Sequence, residues 1–369
     1  MNSSQLQYQI ALTHLSEIGS VTAKNLVSYC GGVKEIFTAK KTTLEKIPNI
    51  GVIRANAILQ SKDEALKTAE AEIKFIQKNN ITPLFYTEDK FPKRLLQCAD
   101  SPVLLYYKGN ADLNARKIIS IVGTRRTTEY GKTQCEKIIE QLSAYHPLIV
   151  SGLAFGVDIT AHKAALKNNL ETVGVVANGM DKMYPSQHLK YVKQMVDCGG
   201  VLTEYGFGEV ANKENFPQRN RIVAGMCDAL ILIETAIKGG AMITAKLADS
   251  YNRDVFALPG KVGDTYSEGC NYLIKNNQAI LFENADDIIK QMMWDIEQQK
   301  PSPKQALLFV DLDEQEKIIV EILQQHQQVN IDDIVIKTNL SHTTIAGLLL
   351  QLELKNIIKA LPGKLFKII

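Results

Sequence analysis

Residues 146–166 read HPLIVSGLAFGVDITAHKAAL. An apolar, β-branched run ends in Ser151-Gly152. A second glycine, Gly156, follows, and then a pattern of helical period begins at Val157. Strand, glycine loop and helix in that order make half of a βαβ unit. The same texture repeats on either side. KIISIVG (117–123), LETVGVVANG (170–179), GGVLTEY (199–205), DALILIET (228–235) and RDVFALPG (253–260) each read as a strand, several of them apolar almost throughout. Parallel strands covered on both faces need that continuity. Helical patterns between them supply the right-handed crossovers. The fold class expected is α/β, with a Rossmann-like, doubly wound, mostly parallel sheet over 81–294. Its ligand is expected outside the carboxyl ends of the strands.

The loops at those ends share a chemistry. Gly123, Gly152 and the pair Gly239-Gly240 follow strands, and Arg125 and Arg126 stand in the first loop. Glycines let backbone amides converge on a ligand, and each helix N-terminus adds positive potential. One or more phosphates suit such a rim, but a nucleotide cofactor does not. No G-x-G-x-x-G follows a strand, and GTRRTTEYGKT spaces its glycines too widely for a P-loop.

The stretch KENFPQRNRIVAG (213–225) adds Lys213, Arg219 and Arg221 around Phe216. Distributed cations beside a flat ring are what single-strand binders use, stacking contributing about 1–3 kcal/mol per base. The other reading pairs the arginines with carboxylates such as Asp228 or Glu234 and puts Phe216 in the core. Asp158 and His162 lie four apart. Either they form an acid–base pair, or Asp158 caps a helix and His162 bonds it or the neighbouring loop. No nucleophile or metal constellation accompanies them, so the second reading is preferred.

The totals exclude several classes. The chain has 369 residues, 45% hydrophobic and 22% charged, with net charge +2, so a polyanion site must be local. Six cysteines are scattered without a C-x-x-C pair and fit a reducing compartment. Neither a signal peptide nor a membrane span is expected. Residues 1–80 are helical in period, with ten basic and seven acidic residues. LEKIPNIGVIRANAILQ (44–60), echoed by LSEIGSVTAKNLVSYCG (15–31), fits a helix-hairpin-helix. There Gly51 would adopt positive φ, and small Ala55 would let paired helices approach. A phosphate-facing hairpin and a bundle kept for its packing are both consistent with it. Residues 295–306 read as a linker. Residues 307–369 show three helical patterns, Ser341 at an N-cap, and a ribbon turning at Pro362-Gly363: a winged-helix-like unit. From 305 onward there are six basic and eight acidic residues, which favours protein contact or regulation over duplex reading.

IVGTRRTTEYG, SGLAFGVDITAHKAAL, ENFPQRNRIVAG and DVFALPG followed by SEGCNYLI resemble the DprA (Smf) family of DNA-processing proteins, across residues 82–285. The resemblance implies a small helical, SAM-like N-terminal domain and a C-terminal winged-helix-like domain beside the Rossmann-like one. It also implies a cytoplasmic, homodimeric single-stranded-DNA-binding protein of natural transformation. Such a protein protects incoming strands and helps load the recombinase RecA, without catalysis, metal or cofactor. For the site it implies Arg125 lining a DNA pocket, Lys213 binding DNA and Phe216 stacking near a base. Arg219, Asn220 and Arg221 would line or support that pocket. Where the family more often has G-S-R, this chain has Gly123-Thr124-Arg125, which keeps the hydroxyl. Ser151, Gly152, Gly239 and Gly240 complete the candidate rim. A rival reading is a nucleotide-processing enzyme of the nucleoside-monophosphate hydrolase type on a related fold. IKGGAMITA, however, lacks the P-G-G-x-G-T-x-x-E pattern of such enzymes.

Overall fold

The structure, a computed structural model, describes residues 3–294, 312–325, 328–338, 340–355, 357–361 and 365–368. The expected linker at 295–306 and the turn at Pro362-Gly363 lie outside the described residues. The chain divides into two compact units, one ending at Ile296 and one starting at Glu297.

The first unit opens with helices α1 (Ser3–Thr13), α2 (Ser20–Cys30), α3 (Val33–Thr38), α4 (Lys41–Leu44) and α5 (Gly51–Lys78). Gly51 has φ +43°, and Ala55 is fully buried, as the hairpin pattern requires. These helices close a core of their own around Leu12, Leu26, Ile36 and Ile58. That core also takes in Phe85, Leu104 and Tyr106 from strands β1 (Thr82–Phe85) and β2 (Leu104–Gly109). Helix α6 (Lys93–Leu96) lies between those two strands in the chain.

The strands read from the sequence are all present: β3 (Ile118–Val122), β4 (Leu148–Ser151), β5 (Thr172–Val175), β6 (Gly199–Thr203), β7 (Ala229–Leu232) and β8 (Asp254–Ala257). The short β9 (Ile280–Leu281) ends the row. The sheet order is β1-β2-β6-β5-β4-β3-β7-β8-β9. The strands from β6 to β9 are parallel, and β1 and β2 add an antiparallel edge that the sequence reading did not separate from its surroundings. The crossover helices are α7 (Glu129–Leu142), α8 (Val157–Lys167), α9 (Leu189–Asp197), α10 (Asn215–Met226) and α11 (Gly240–Ser250), with α12 (Glu268–Lys275) and α13 (Ala285–Gln291) after β8 and β9.

Alternation along the strands feeds two cores. Ile118 and Val122 join Leu148, Val150, Leu230 and Ile222 on one face. Ile119 and Ile121 join Ile149, Ile231, Ile139 and Ala161 on the other. Burial on both faces explains the unbroken apolar runs. After β6 the chain returns past β3 to lay down β7 on its other side. The direction of winding therefore reverses between β3 and β7. That is the switch point at which a doubly wound sheet leaves a crevice.

In the second unit, helices 314–325, 331–338 and 342–354 pack against a three-stranded sheet of 329–330, 358–361 and 365–368, a winged-helix arrangement. The Ser341 side chain caps the third helix by accepting from the Thr344 amide at 3.1 Å.

Candidate nucleic-acid interface

The switch point holds a hollow of about 380 Å³. Its walls come from the loops after β3, β4 and β7 and from the outward side of α10. They include Gly123, Thr124, Arg125, Gly152, Phe216, Arg219, Asn220, Gly239 and Gly240, nine of the twelve residues singled out from the sequence. Lys238 and Tyr266 line it as well, and neither was singled out.

The loop that carries Arg125 is held from below. Glu234, buried just after β7, accepts from Thr127 Oγ1 at 2.9 Å, the Thr128 amide at 2.9 Å and Thr128 Oγ1 at 2.5 Å. The Thr124 amide donates to the Glu234 carbonyl at 2.7 Å. Glu234 is thus not the arginine partner that the sequence left open; Asp228 is not either, because Arg94 Nε binds it at 2.6 Å. The threonines that spoil a P-loop pattern are the groups that fasten this loop. Arg125 itself is exposed, and its Cζ stands 5.0 Å from the centre of the Phe216 ring, a cation–π contact at the mouth of the hollow.

Phe216 is half-buried rather than in the core. Tyr184 meets it edge-on, with ring centres 6.1 Å apart. A smaller recess continues from the hollow under Phe155 and Tyr184, which are 41% and 49% exposed. Both sit in loops after strands, in LAFG and KMYPS. An aromatic following a glycine loop was the only sequence signal available for them.

Ser151 and Arg221 are placed differently from expectation, while Arg219 supports the hollow as the resemblance implied but is closed to a phosphate. Ser151 is fully buried and donates its hydroxyl to the Ile121 carbonyl at 2.5 Å, so it braces β4 against β3 and faces no ligand. Arg219 is 4% exposed, and its Nη1 is bonded to the carbonyls of Gly152 and Val175. It forms the floor of the hollow, where its charge supports the loop, and it is not an open phosphate contact. Arg221 leaves the hollow altogether. It pairs with Glu204 in a separate cleft shared with α1 and α2, both side chains being 13% exposed. The twelfth, Lys213, is exposed two residues ahead of α10 and stands outside the hollow's lining.

Gly152 is required by crowding: a Cβ there would sit 2.6 Å from Asp158 Oδ2 and 2.7 Å from Arg219 Cζ. Asp158 and Arg219 therefore face each other across bare backbone. Burial raises the Asp158 carboxyl above its ordinary range, with Arg219 opposing that rise. Burial likewise lowers Arg219, with Asp158 opposing. Gly156, at φ +78°, precedes α8, and a Cβ on it would run into the Thr124 carbonyl. Gly156, not Asp158, occupies the cap position; Asp158 lies in the first turn and accepts from the Ala154 amide at 3.2 Å. His162 does not bond Asp158 or that loop. Its Nδ1 meets Thr172 Oγ1 at 2.7 Å, fully buried. Burial, then the charges of His188 and Arg219, push the imidazole down to about 3. A neutral, enclosed ring of this kind is a core group.

Comparison with known proteins agrees with this architecture. Residues 82–293 match the family model described as DNA recombination-mediator protein A, and residues 298–364 match the DprA winged helix domain. The chain belongs to the DNA recombination-mediator protein A (DprA) family. It is 40% identical to the DNA processing protein DprA of Streptococcus pneumoniae over 199 residues, 54% of this chain and 70% of that one. It is 29% identical to the Smf protein of Escherichia coli over 300 residues, 80% of each chain. The solved DprA of S. pneumoniae superposes with a TM-score of 0.66 at 32% identity, covering 77% of this chain and 97% of that one. A solved DNA processing protein A of Helicobacter pylori, studied for its single-stranded DNA binding mode, superposes with a TM-score of 0.53 at 30% identity, covering 58% and 96%. Among the described residues of this DprA-family chain, no helix is long and apolar enough to cross a membrane, and no metal-holding cluster of three His, Cys, Asp or Glu occurs.

Proposed function

We propose that the hollow at the β3–β7 switch point binds unpaired DNA. The chain would then act as a cytoplasmic recombination mediator that protects incoming strands and helps load RecA in natural transformation. The observation that carries this is the Arg125–Phe216 pair, 5.0 Å apart, at the mouth of a glycine-walled hollow. A guanidinium reaches a phosphate bidentately while the ring offers a face to any base. Lys213 approaches the same strand from outside the lining, and α11 begins at Gly240 in the wall of the hollow, with its N-terminal positive potential toward the strand. Binding should be largely blind to sequence, because a cation on a phosphate and a ring under a base accept any nucleotide. The H. pylori relative is described by its single-stranded DNA binding, which supports the same ligand class.

Hydrolysis of a nucleotide would need a carboxylate open to the hollow. Asp158 is the one carboxylate among its described lining residues, and it is buried against the Ala154 amide with Arg219 facing it. The role proposed is therefore a binding one. A homodimer fits through the outer edge of the sheet. Ile280 and Leu281 on β9 and Tyr272 on α12 are 37%, 46% and 44% exposed at the sheet edge, where β9 pairs β8 on one side only.

The test is fluorescence anisotropy with single- and double-stranded oligomers of equal length across a salt series. The logarithmic slope with salt should be roughly −0.7 per phosphate contacted. Arg125→Ala and Lys213→Glu should weaken dT binding while thermal stability moves by less than about 0.5 kcal/mol, as for ordinary surface changes. Normal affinity in both variants would remove the rim from DNA binding. Release of adenine from AMP would restore the enzyme reading. Leu281→Arg should yield a monomer by light scattering if β9 is the dimer edge, and a shortened lag in RecA filament assembly on DNA would report the loading role.

A further inference from the structure

Away from the hollow, the outer face of α8 and α9 carries a second concentration of charge. Lys163 and Lys167 lie four residues apart on α8, and Lys190 is in the first turn of α9. The Nζ atoms of Lys163 and Lys190 stand 4.9 and 4.8 Å from the centre of the Tyr191 ring. Beside them is a shallow depression lined by Lys163, Leu166, Lys167, Tyr191 and Gln194, with no carboxylate in its lining. Among the described residues, none of these three lysines has an ion-pair partner.

The arrangement works against local stability. Like charges four apart on a helix repel. A cation in a first turn opposes the helix dipole. Folding alone gains only two exposed cation–π contacts from gathering three unneutralised ammonium groups around one depression, whereas an anionic partner would neutralise all three. The cation–π contacts hold two of the ammoniums in place on a fixed aromatic base.

The patch also lies along a route from the hollow. Phe155, exposed at the recess, packs against His188 with ring centres 4.8 Å apart, and α9 begins at the next residue, so Lys190 and Tyr191 follow directly. Lys163 lies six residues along α8 from Val157, about 9 Å down its axis.

We propose that Lys163, Lys167 and Lys190, set around Tyr191, form a second phosphodiester-binding surface, which carries a single strand onward from the hollow over Phe155 and Tyr184. This rests on the reading of the hollow as a single-strand site. The occupant is the sugar–phosphate backbone; the lysines act as point charges, so no base preference is expected.

The experiment uses the full-length chain and the triple variant Lys163→Gln/Lys167→Gln/Lys190→Gln, with Arg125→Ala in parallel. Each is titrated with dT oligomers of about 6 and about 30 nucleotides, lengths on either side of a typical single-strand site. The triple variant should bind the short oligomer as the natural chain does and the long one about tenfold more weakly. Its salt slope on the long oligomer should be shallower by about 2, from three lost contacts at roughly 0.7 each. Arg125→Ala should weaken both lengths. Unchanged affinity of the triple variant for the long oligomer would overturn the path while leaving the hollow intact. So would an equal loss on both lengths, which would mark a general effect of charge. A natural chain that bound neither oligomer would remove the hollow and the path together.

Discussion

The loop at Gly123–Arg125 and the helix α10 each bring arginines to the same switch point, and they use them in opposite ways. On the loop, Arg125 is exposed and lies over an aromatic face. On the helix, Arg219 and Arg221 are taken up by carbonyls and by Glu204. Helical geometry accounts for the split. From Phe216, Asn220 lies about 40° round the axis, Arg219 about 60° the other way and Arg221 about 140° away. Phe216 and Asn220 therefore share the hollow, Arg219 turns toward the strand ends, and Arg221 reaches a cleft on another side. Charge in a sequence marks a polar neighbourhood, and the face of the element decides whether that charge is spent inside or offered to a ligand.

The sharpest way to break this comparison is Arg219→Met. Removing the buried guanidinium leaves two carbonyls unpaired and Asp158 without its counter-charge, at a cost of about 3–5 kcal/mol. Chemical denaturation should show that loss. A stable variant with weakened DNA binding alone would instead put Arg219 on the open side.

A second measurement concerns the interior beside it. His162 is held down to about 3 in the folded chain, below the 6.5 of an ordinary histidine. The unfolded chain takes up this proton first as pH falls, so stability is lost between pH 6.5 and about 3, by at most roughly 1.4 kcal/mol per pH unit. Above pH 6.5 the ring is neutral in both states and contributes no slope. His162→Gln should flatten the dependence of melting temperature on pH between 6.5 and 4.5 relative to the natural chain. Equal slopes would mean that the ring is not enclosed.

Phe216→Ala should reduce the affinity for dT oligomers by about 1–3 kcal/mol, the usual worth of one stacked base, without changing the salt slope. A change in slope with affinity kept would assign Phe216 to positioning Arg125 rather than to stacking. The smallest effect on binding belongs to Arg221→Ala. It should destabilise by about 1–3 kcal/mol, because Glu204 is left largely buried and unpaired, and should leave DNA affinity within about twofold. A large affinity loss in a folded Arg221 variant would extend the site into the cleft beside α1 and α2.

The six apolar runs from 117 to 260 were legible as parallel strands because burial on both faces leaves no polar alternation to confuse the reading. TPLF and LLYYKG, the antiparallel edge strands β1 and β2, were not separated, because each buries residues against the N-terminal helices as well as the sheet. The glycine loops were legible, since glycine after an apolar strand has few other uses. Tyr184 and Phe155 were not, because an isolated aromatic in a loop looks the same in sequence whether it packs inward or lines a recess.

What the sequence determined by itself was the order of strands and crossovers, the glycines at their carboxyl ends, and the presence of cations and a ring among them. Those features follow from local pattern and backbone freedom, which belong to neighbouring residues. The tertiary structure alone decided which cations stay open. Ser151, Arg219 and Arg221 have their partners at Ile121, Gly152, Val175 and Glu204. Whether a polar side chain is satisfied within the protein or left for a ligand depends on what folding brings beside it from elsewhere in the chain.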